Sequence, residues 1–154
     1  MGTANSADAL IEQLGLSAHP EGGWYRETWR STGEDHSGRA GGTAIIFLLK
    51  AAERSHWHRV DADEMWIWQG GDPLVLDIAR GDDGPVESLT LGSDIGAKQR
   101  LQGLVPAGAW QAARPEKDGS AGYCLVSCIV VPGFQFSGFE LAEAGWSPGG
   151  FSAA

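Results

Sequence analysis

The sequence predicts an all-β domain, a sandwich or a closed barrel, with one short helix near its N-terminus. Short apolar or alternating segments follow one another from residue 24 to residue 131, and turn signals such as "GDDGP" and "KDGSAG" separate them. The chain also contains 23 glycines, which suits a protein with many turns. Many short strands at near-regular spacing are typical of sandwiches and barrels.

One domain accounts for the whole chain. Its 154 residues, of which 42% are hydrophobic, can bury a single core. We expect the core of this domain to span residues 10–142 and residues 143–154 to form an irregular tail.

The helix is predicted over residues 7–14, "ADALIEQL". Ser6 can cap its N-terminus, Asp8 favours its first turn, and Gly15 ends it. Its apolar stripe consists of Leu10, Ile11 and Leu14.

The strands follow the helix, each as a short apolar or alternating run bounded by turn residues. In order, they are "WYRETWRS" (24–31), "TAIIFLLK" (43–50), "HWHRV" (56–60), "EMWIWQ" (64–69), "LVLDIAR" (74–80), "VESLTLG" (86–92), "QRLQGLVP" (99–106), "AWQAARP" (109–115) and "YCLVSCIVV" (123–131). Between the first two, residues 31–42 are predicted to form a polar, glycine-rich loop.

The charge of the chain argues against several classes of partner. The formal net charge is −9, whereas nucleic acids and anionic membranes attract clustered Lys and Arg. No apolar run approaches the roughly 18 residues of a membrane span, and the N-terminus lacks the layout of a secretory signal. We therefore expect a cytoplasmic protein with neither nucleic acid nor membrane as partner.

Cys124 and Cys128 lie on the same face of one predicted strand. Four residues of a strand span about 13 Å, and a disulfide requires Cα atoms within about 7 Å of each other. The two thiols therefore cannot pair with each other, and we predict that they are core residues in a reducing compartment.

The stretch "ERSHWHRVDADEMWIWQGGDPL", residues 53–74, carries the densest chemistry of the chain. His56 and His58 are two residues apart on a predicted strand, so they should share a face. Glu64 follows on the next strand, where it shares a face with Trp66 and Trp68. Such a set can form the first shell of Zn, Fe, Mn or Ni. Equally, one histidine could face a wet loop while the other hydrogen-bonds a carboxylate.

The spacing in this stretch resembles the signature of the cupins. His56-x-His58, Glu64 and Gly71 follow its first half, and Pro106-x-Gly108 follows its second. The spacing from His58 to Glu64 is one residue longer than in the signature, so Asp63 could take the position of the glutamate. Longer blocks resemble one branch, cupin superfamily 5, whose members are mostly of uncharacterised function. These blocks are "HPEGGWYRETWRS" (19–31), "TAIIFLL" (43–49), "WHRVDADEMWIWQGGDPL" (57–74), "VPAGAWQAA" (105–113) and "VVPGFQFSGFEL" (130–141).

The resemblance implies a double-stranded β-barrel, or jelly roll, with a pocket inside the barrel and usually a homodimer. Cupin metal sites use three histidines and a glutamate, but Gln111 stands in place of the third histidine. The predicted metal ligands are accordingly His56, His58, Glu64 and Gln111, and an amide oxygen is a poor ligand for a transition metal.

The same blocks should gather further polar and aromatic side chains near the pocket. A small-molecule site typically combines an aromatic wall with a few polar anchors. The predicted substrate-binding residues are His19, Glu21, Arg26, Glu27, Trp66, Trp68, Gln111 and Phe134.

Three functions are compatible with these residues. The first is a metal-independent isomerase or epimerase, in which His58 is the base, Glu64 orients it, Tyr25 is the acid and Arg26 anchors an anionic substrate. It rests on analogy with cupin-fold epimerases of keto-sugars. The second is a metal-dependent cupin enzyme built on His56, His58 and Glu64. The third is a protein that binds a small polar or sugar-like molecule without chemistry, and the sequence does not separate it from the first.

Overall fold

Two antiparallel sheets and one short helix make up the protein. The computed structural model describes residues 6–153. The elements are α1 (Ala7–Leu14), β1 (Ser17–Ala18), β2 (Trp24–Arg30), β3 (Thr43–Lys50), β4 (Ser55–Val60), β5 (Asp63–Gly71), β6 (Leu74–Ala79), β7 (Val86–Leu91), β8 (Gln102–Val105), β9 (Trp110–Pro115), β10 (Tyr123–Val131) and β11 (Phe139–Leu141). Short 3₁₀ turns occupy Ile95–Ala97, Phe136–Gly138 and Pro148–Gly150.

The helix begins and ends where the sequence predicts. The hydroxyl of Ser6 accepts the N–H of Ala9 at 3.1 Å, which satisfies one of the free donors of the first turn. Gly15 takes a left-handed conformation with φ of 65°, and its N–H donates to the carbonyl of Glu12. Such a glycine ends a helix without the steric cost of a Cβ.

The strands form a sandwich of a six-stranded and a five-stranded sheet. The strand orders are β1-β2-β3-β10-β5-β8 and β11-β4-β9-β6-β7. Every predicted strand is present: β3 and β10 have the predicted ends, and the other predicted strands differ at one or both ends. The two-residue β1 and the three-residue β11 were not predicted. The two antiparallel sheets confirm the all-β prediction and are consistent with a jelly roll, but they are not hydrogen-bonded into a closed barrel.

The core lies between the two sheets. It joins Phe47, Trp66 and Val126 of the six-stranded sheet to Leu76 and Ala113 of the five-stranded sheet. The burial of β10 alternates strictly along its first eight residues, as expected for a strand that turns one face inward.

The predicted burial of the two cysteines in the core is confirmed. Cys124 and Cys128 are free, buried and on the inward face of β10. Burial raises the pKa of the Cys124 thiol to about 12 and that of Cys128 well above its ordinary range. Cys124 therefore acts as a small apolar group in the core, whereas the thiol of Cys128 also interacts with the carboxyl of Glu64.

The C-terminal segment packs on the outer face of the five-stranded sheet. It is irregular, as predicted, apart from its 3₁₀ turn. Trp146 and Phe151 cover an apolar cluster of Trp57, Ala79 and Trp110. No helix within residues 6–153 is long and apolar enough to span a membrane.

Candidate functional site

A tight turn in "HPEGGW" places the side chains of His19 and Glu21 between the two sheets. Gly22 has φ of 105°, and a Cβ on it would lie 2.1 Å from the carbonyl oxygen of Arg54. The turn is closed by the N–H of Gly22, which donates to the carbonyl of His19 at 3.0 Å. The N–H of His56 donates to the carbonyl of Glu21 at 2.7 Å and ties the turn to β4. Glycine is required here because any side chain would push the turn away from that strand.

A β-bulge in β4 decides which side chains enter the site. Ser55 pairs with Ala113 and His58 with Gln111, so three steps along β4 match two steps along β9. Ser55 and His58 consequently both point inward. His56 instead places Nε2 2.9 Å from the carbonyl oxygen of Glu143, outside the sandwich. The prediction that His56 and His58 share a face is wrong, because the extra residue breaks the alternation of the strand.

His58 and Glu21 form a buried ion pair. Nδ1 of His58 lies 2.7 Å from the carbonyl oxygen of His56, which can only accept, so Nδ1 carries a proton. Nε2 lies 2.7 Å from Oε2 of Glu21, and the hydroxyl of Ser55 donates to the same oxygen at 2.8 Å.

The protonation of this pair follows from the balance of burial against attraction. Burial disfavours both charges, but the attraction and hydrogen bond between the partners outweigh it. The pKa of His58 is therefore raised and that of Glu21 is lowered, which favours imidazolium and carboxylate. The orienting partner predicted for His58 was Glu64. The structure puts Glu21 there, because the glycine turn and the bulge bring Glu21 to Nε2.

His19 is the second imidazole of the site. Its Nδ1 accepts the N–H of Glu21 at 3.1 Å, so Nε2 carries the proton in the neutral ring. Burial lowers the pKa of His19 and the positive His58 lowers it further, against the attraction of Glu21. His19 is accordingly a neutral ring that can donate one hydrogen bond.

Glu64 is the carboxyl that titrates near neutral pH. Its Oε1 accepts the amide of Gln111 at 2.7 Å, and the oxygen of that amide accepts the indole N–H of Trp66 at 2.7 Å. Burial raises the pKa of Glu64 to about 7; the charge of His58 opposes the rise, and the charge of Glu21 adds to it. A group of this kind can give or take a proton under physiological conditions.

These groups line one pocket between the sheets. His19, Glu21, His58 and Glu64 supply its polar lining, and the apolar walls come from Ile45, Val60, Val130, Phe134 and Phe139, with Thr43 beside them. Phe134, Phe136 and Phe139 pack edge to face, with ring centres 5.0–6.0 Å apart. The free space is about 20 Å³, room for about one water molecule, so a larger ligand requires the phenylalanine rings to move.

The other predicted residues lie around the pocket or away from it. The ring of Tyr25 packs edge-on to His19, with centres 4.5 Å apart, but does not line the pocket. Arg26 is exposed on the outer side of β2, opposite Ile46. Glu27 forms a two-point pair with Arg30, at 2.9 and 2.8 Å.

The two predicted tryptophans support the core instead of the pocket. Trp66 is 1% exposed and sits in the central cluster, where its N–H holds Gln111. Trp68 packs against the same cluster and donates its indole N–H to the carbonyl of Asp72 at 3.1 Å. Gln111 itself is 1% exposed and acts through Glu64, whereas Phe134 lines the pocket as predicted.

Sequence reasoning missed Ser55 and most of the apolar wall. Ser55 directly precedes His56, but only the bulge turns it inward. Phe139 belongs to the block "VVPGFQFSGFEL" and could have been selected from it together with Phe134.

The predicted metal ligands do not fit a metal site. The bulge turns His56 out of the pocket, both nitrogens of His58 are engaged, and the amide of Gln111 is used by Glu64 and Trp66. Among residues 6–153, no group of three His, Cys, Asp or Glu side chains is placed to hold an ion. The predicted ligands cannot bind one ion together, because His56 and His58 lie on opposite faces of β4.

Two antiparallel sheets that enclose a pocket with four ionisable side chains and apolar walls are consistent with a jelly-roll protein that has an internal site. Residues 8–142 match the family model described as Cupin superfamily (DUF985). The chain therefore belongs to this family, which confirms the resemblance seen in its motifs.

Two solved relatives share the fold and most of the length of the chain, and a third relative matches it in sequence. A hypothetical protein from Leishmania major is 36% identical with a TM-score of 0.81, covering 90% of this chain and 88% of that one. A protein from Shewanella oneidensis is 39% identical with a TM-score of 0.82, covering 90% and 85%. The uncharacterized protein YML079W of Saccharomyces cerevisiae is 26% identical over 147 residues, 86% of this chain and 73% of that one.

A more distant likeness shows the fold alone. Oxalate decarboxylase from Bacillus subtilis has a TM-score of 0.57 at 13% identity, covering 80% of this chain and 29% of that one. The jelly-roll architecture is therefore shared with an enzyme, without any implication for the reaction.

Proposed function

We propose that this protein is an enzyme that moves a proton on a small, uncharged polar molecule held in the inter-sheet pocket, as isomerases and epimerases do. One observation carries the proposal. A carboxyl with a pKa near 7, Glu64, lines the same pocket as a fixed imidazolium–carboxylate pair, His58–Glu21. Groups whose environments push their pKa values apart are the usual components of acid–base catalysis.

The proposed base is Glu64, and this revises the role first assigned to His58. His58 is charged and hydrogen-bonded through both nitrogens, so it has no free lone pair with which to accept a proton. One oxygen of Glu64 accepts a hydrogen bond from Gln111. Because the pKa of Glu64 is about 7, about half of the molecules carry an ionised Glu64 at pH 7. His58 then supplies positive charge near the base, which favours negative charge developing in the pocket.

The proposed proton transfer balances within the pocket. The Glu64 carboxylate takes a proton from a carbon next to a carbonyl group, and the C–H electron pair moves toward the carbonyl oxygen. Nε2–H of His19 donates a hydrogen bond to that oxygen. The Glu64 carboxyl then returns a proton to carbon and regenerates the carboxylate. The pocket already holds two carboxyls, which favours a neutral carbonyl compound such as a small keto-sugar over an anion.

Deuterium exchange tests this function directly. Small aldehydes, ketones and keto-sugars are incubated with the protein in D₂O, and carbon-bound deuterium is followed by NMR. We expect the wild type to catalyse exchange in at least one compound and Glu64→Gln to reduce the rate by about 10²–10⁴-fold. Glu116→Gln, the same change at an exposed residue, should leave the rate unchanged.

A contrary result would have a clear meaning. If a compound binds in the pocket and is recovered without exchange after long incubation, the protein binds small molecules without chemistry. Equal exchange rates in the wild type and in Glu64→Gln would remove Glu64 from the mechanism.

A further inference from the structure

A second, larger cavity lies on the outer face of the five-stranded sheet. It has a volume of about 410 Å³, within the range of small-molecule sites, whereas the free space of the inter-sheet pocket is about 20 Å³. The sheet supplies one wall through β4, β6 and β9, and the C-terminal segment 145–153 supplies the other. This cavity is a separate space from the inter-sheet pocket, although Ser55, which donates to Glu21, also lies in its wall.

The charged groups of this cavity are mostly basic, in a chain whose net charge is −9. Arg54 and Arg114 line it against the single carboxylate of Asp77, and His56 adds an imidazole to the lining. That carboxylate is already satisfied: Ser88 donates to one oxygen at 2.5 Å, and Arg114 forms an ion pair with the other.

Both guanidinium groups retain donors for a ligand. Arg114 uses Nη1 for Asp77, and a guanidinium has five N–H donors. Arg54 is exposed at the edge of the cavity, and among the described residues no carboxylate lies within ion-pair distance of it. Planar donors of this kind hold carboxylate or phosphate oxygens in a two-point geometry.

Three aromatic side chains also lie in the wall, among small residues such as Ala112 and Ser147. Trp57, Trp146 and Phe151 line the cavity, and the rings of Trp57 and Phe151 meet edge to face with centres 6.2 Å apart. The combination of aromatic faces with guanidinium groups selects a ligand that has both a flat apolar part and a negative charge.

We propose that this outer cavity, lined by Arg54, His56, Arg114, Trp57, Trp146 and Phe151, binds a small organic anion with an aromatic ring. The anionic group contacts Arg54 and the free donors of Arg114, and the ring lies against the aromatic wall. The family match names no ligand for this face of the sheet, and the proposed proton transfer takes place in the other pocket.

Benzoate and benzamide test the proposal, because they have nearly the same shape and differ in charge. Each is titrated into the protein at constant ionic strength by calorimetry, with the indole N–H resonances of Trp57 and Trp146 as reporters of position. We expect saturable benzoate binding that shifts these resonances, and binding of benzamide at least about tenfold weaker. Titration with inorganic phosphate shows whether the charge alone suffices: weaker binding than benzoate is expected from the loss of the ring contacts.

The variants separate this site from the inter-sheet pocket. Arg54→Gln should weaken benzoate binding about tenfold, as expected for the loss of one charge-assisted contact. Arg80→Gln, the same change at an exposed arginine after β6, and Glu64→Gln should bind benzoate like the wild type. Absence of binding up to about 10 mM benzoate, equal affinity for benzamide, or unchanged affinity in Arg54→Gln would each overturn the proposal.

Discussion

At the scale of single residues, the polar centre of this protein is held by pairs whose members lie far apart in the sequence. Glu21 meets His58 and Ser55, and Glu64 meets Gln111. Among the described residues, every fully buried side-chain nitrogen or oxygen has a hydrogen-bond partner. Buried charges of this kind persist because each is paired, and removing one partner would leave the other unpaired in the core.

Glu64 should make the stability of the protein depend on pH in a defined direction. Its pKa rises from an ordinary 4.5 to about 7 on folding, so the folded chain binds its proton more tightly than the unfolded chain. The corresponding stability is complete below pH 4.5 and is lost as the pH rises through 7, by a total on the order of 3 kcal/mol.

Comparison of variants isolates this contribution. Gln at position 64 does not titrate, so the free energy of unfolding of Glu64→Gln, relative to the wild type, should increase between pH 5 and pH 8. Urea denaturation at both pH values measures it, and Glu116→Gln should show no such change. If the free energies of unfolding of the variant and the wild type differ by the same amount at both pH values, the pKa of Glu64 is an ordinary one.

At the scale of elements, the turn of residues 19–24 and the bulge in β4 act together to build the site. The turn fits under Arg54 only because Gly22 lacks a side chain. Gly22→Ala should therefore destabilise the protein by about 2 kcal/mol or more, through strain at positive φ and a clash with the backbone. It should also lower the pKa of His58, because Glu21 would move away.

Chemical denaturation and NMR titration of His58 measure the two effects. Gly81→Ala serves as the control, because a Cβ on Gly81 would meet nothing within 4 Å. A Gly22→Ala variant with wild-type stability and an unchanged pKa for His58 would show that the turn does not position Glu21.

At the scale of the whole molecule, the outer face of the six-stranded sheet presents an apolar row. Trp29, Ala44, Ile129, Met65 and Leu104 lie side by side in register on five adjacent strands. Trp29 and Leu104 are 51% and 50% exposed in the single chain. Contiguous apolar surface of this kind usually marks a protein–protein contact.

We expect this face to form the homodimer that the family resemblance implies. Leu104→Lys should shift the protein from dimer to monomer, because it places a charge in an apolar interface. Light scattering coupled to gel filtration measures the mass. Ile95→Lys, at a residue 59% exposed on a 3₁₀ turn, should leave the dimer intact. A monomeric wild type, or a Leu104→Lys variant that stays dimeric, would exclude this face.

The elements of the fold could be predicted because their signals are local. The cap and the terminal glycine of α1, and the alternation of β5 and β10, lie within a few residues of the structure they specify. The short β1 and β11 could not, because two or three residues carry no periodicity and become strands only by pairing with β2 and β4.

The sequence by itself determined the family, the β architecture, the inward face of Glu64, Trp66 and Trp68, and the burial of both cysteines. The tertiary structure decided which groups meet. The bulge that separates His56 from His58 exists only in the register of β4 against β9. The pairing of Glu21 with His58 requires a glycine turn to dock on a strand more than thirty residues away. Contacts of this range depend on how the elements pack, and no local pattern in the chain encodes them.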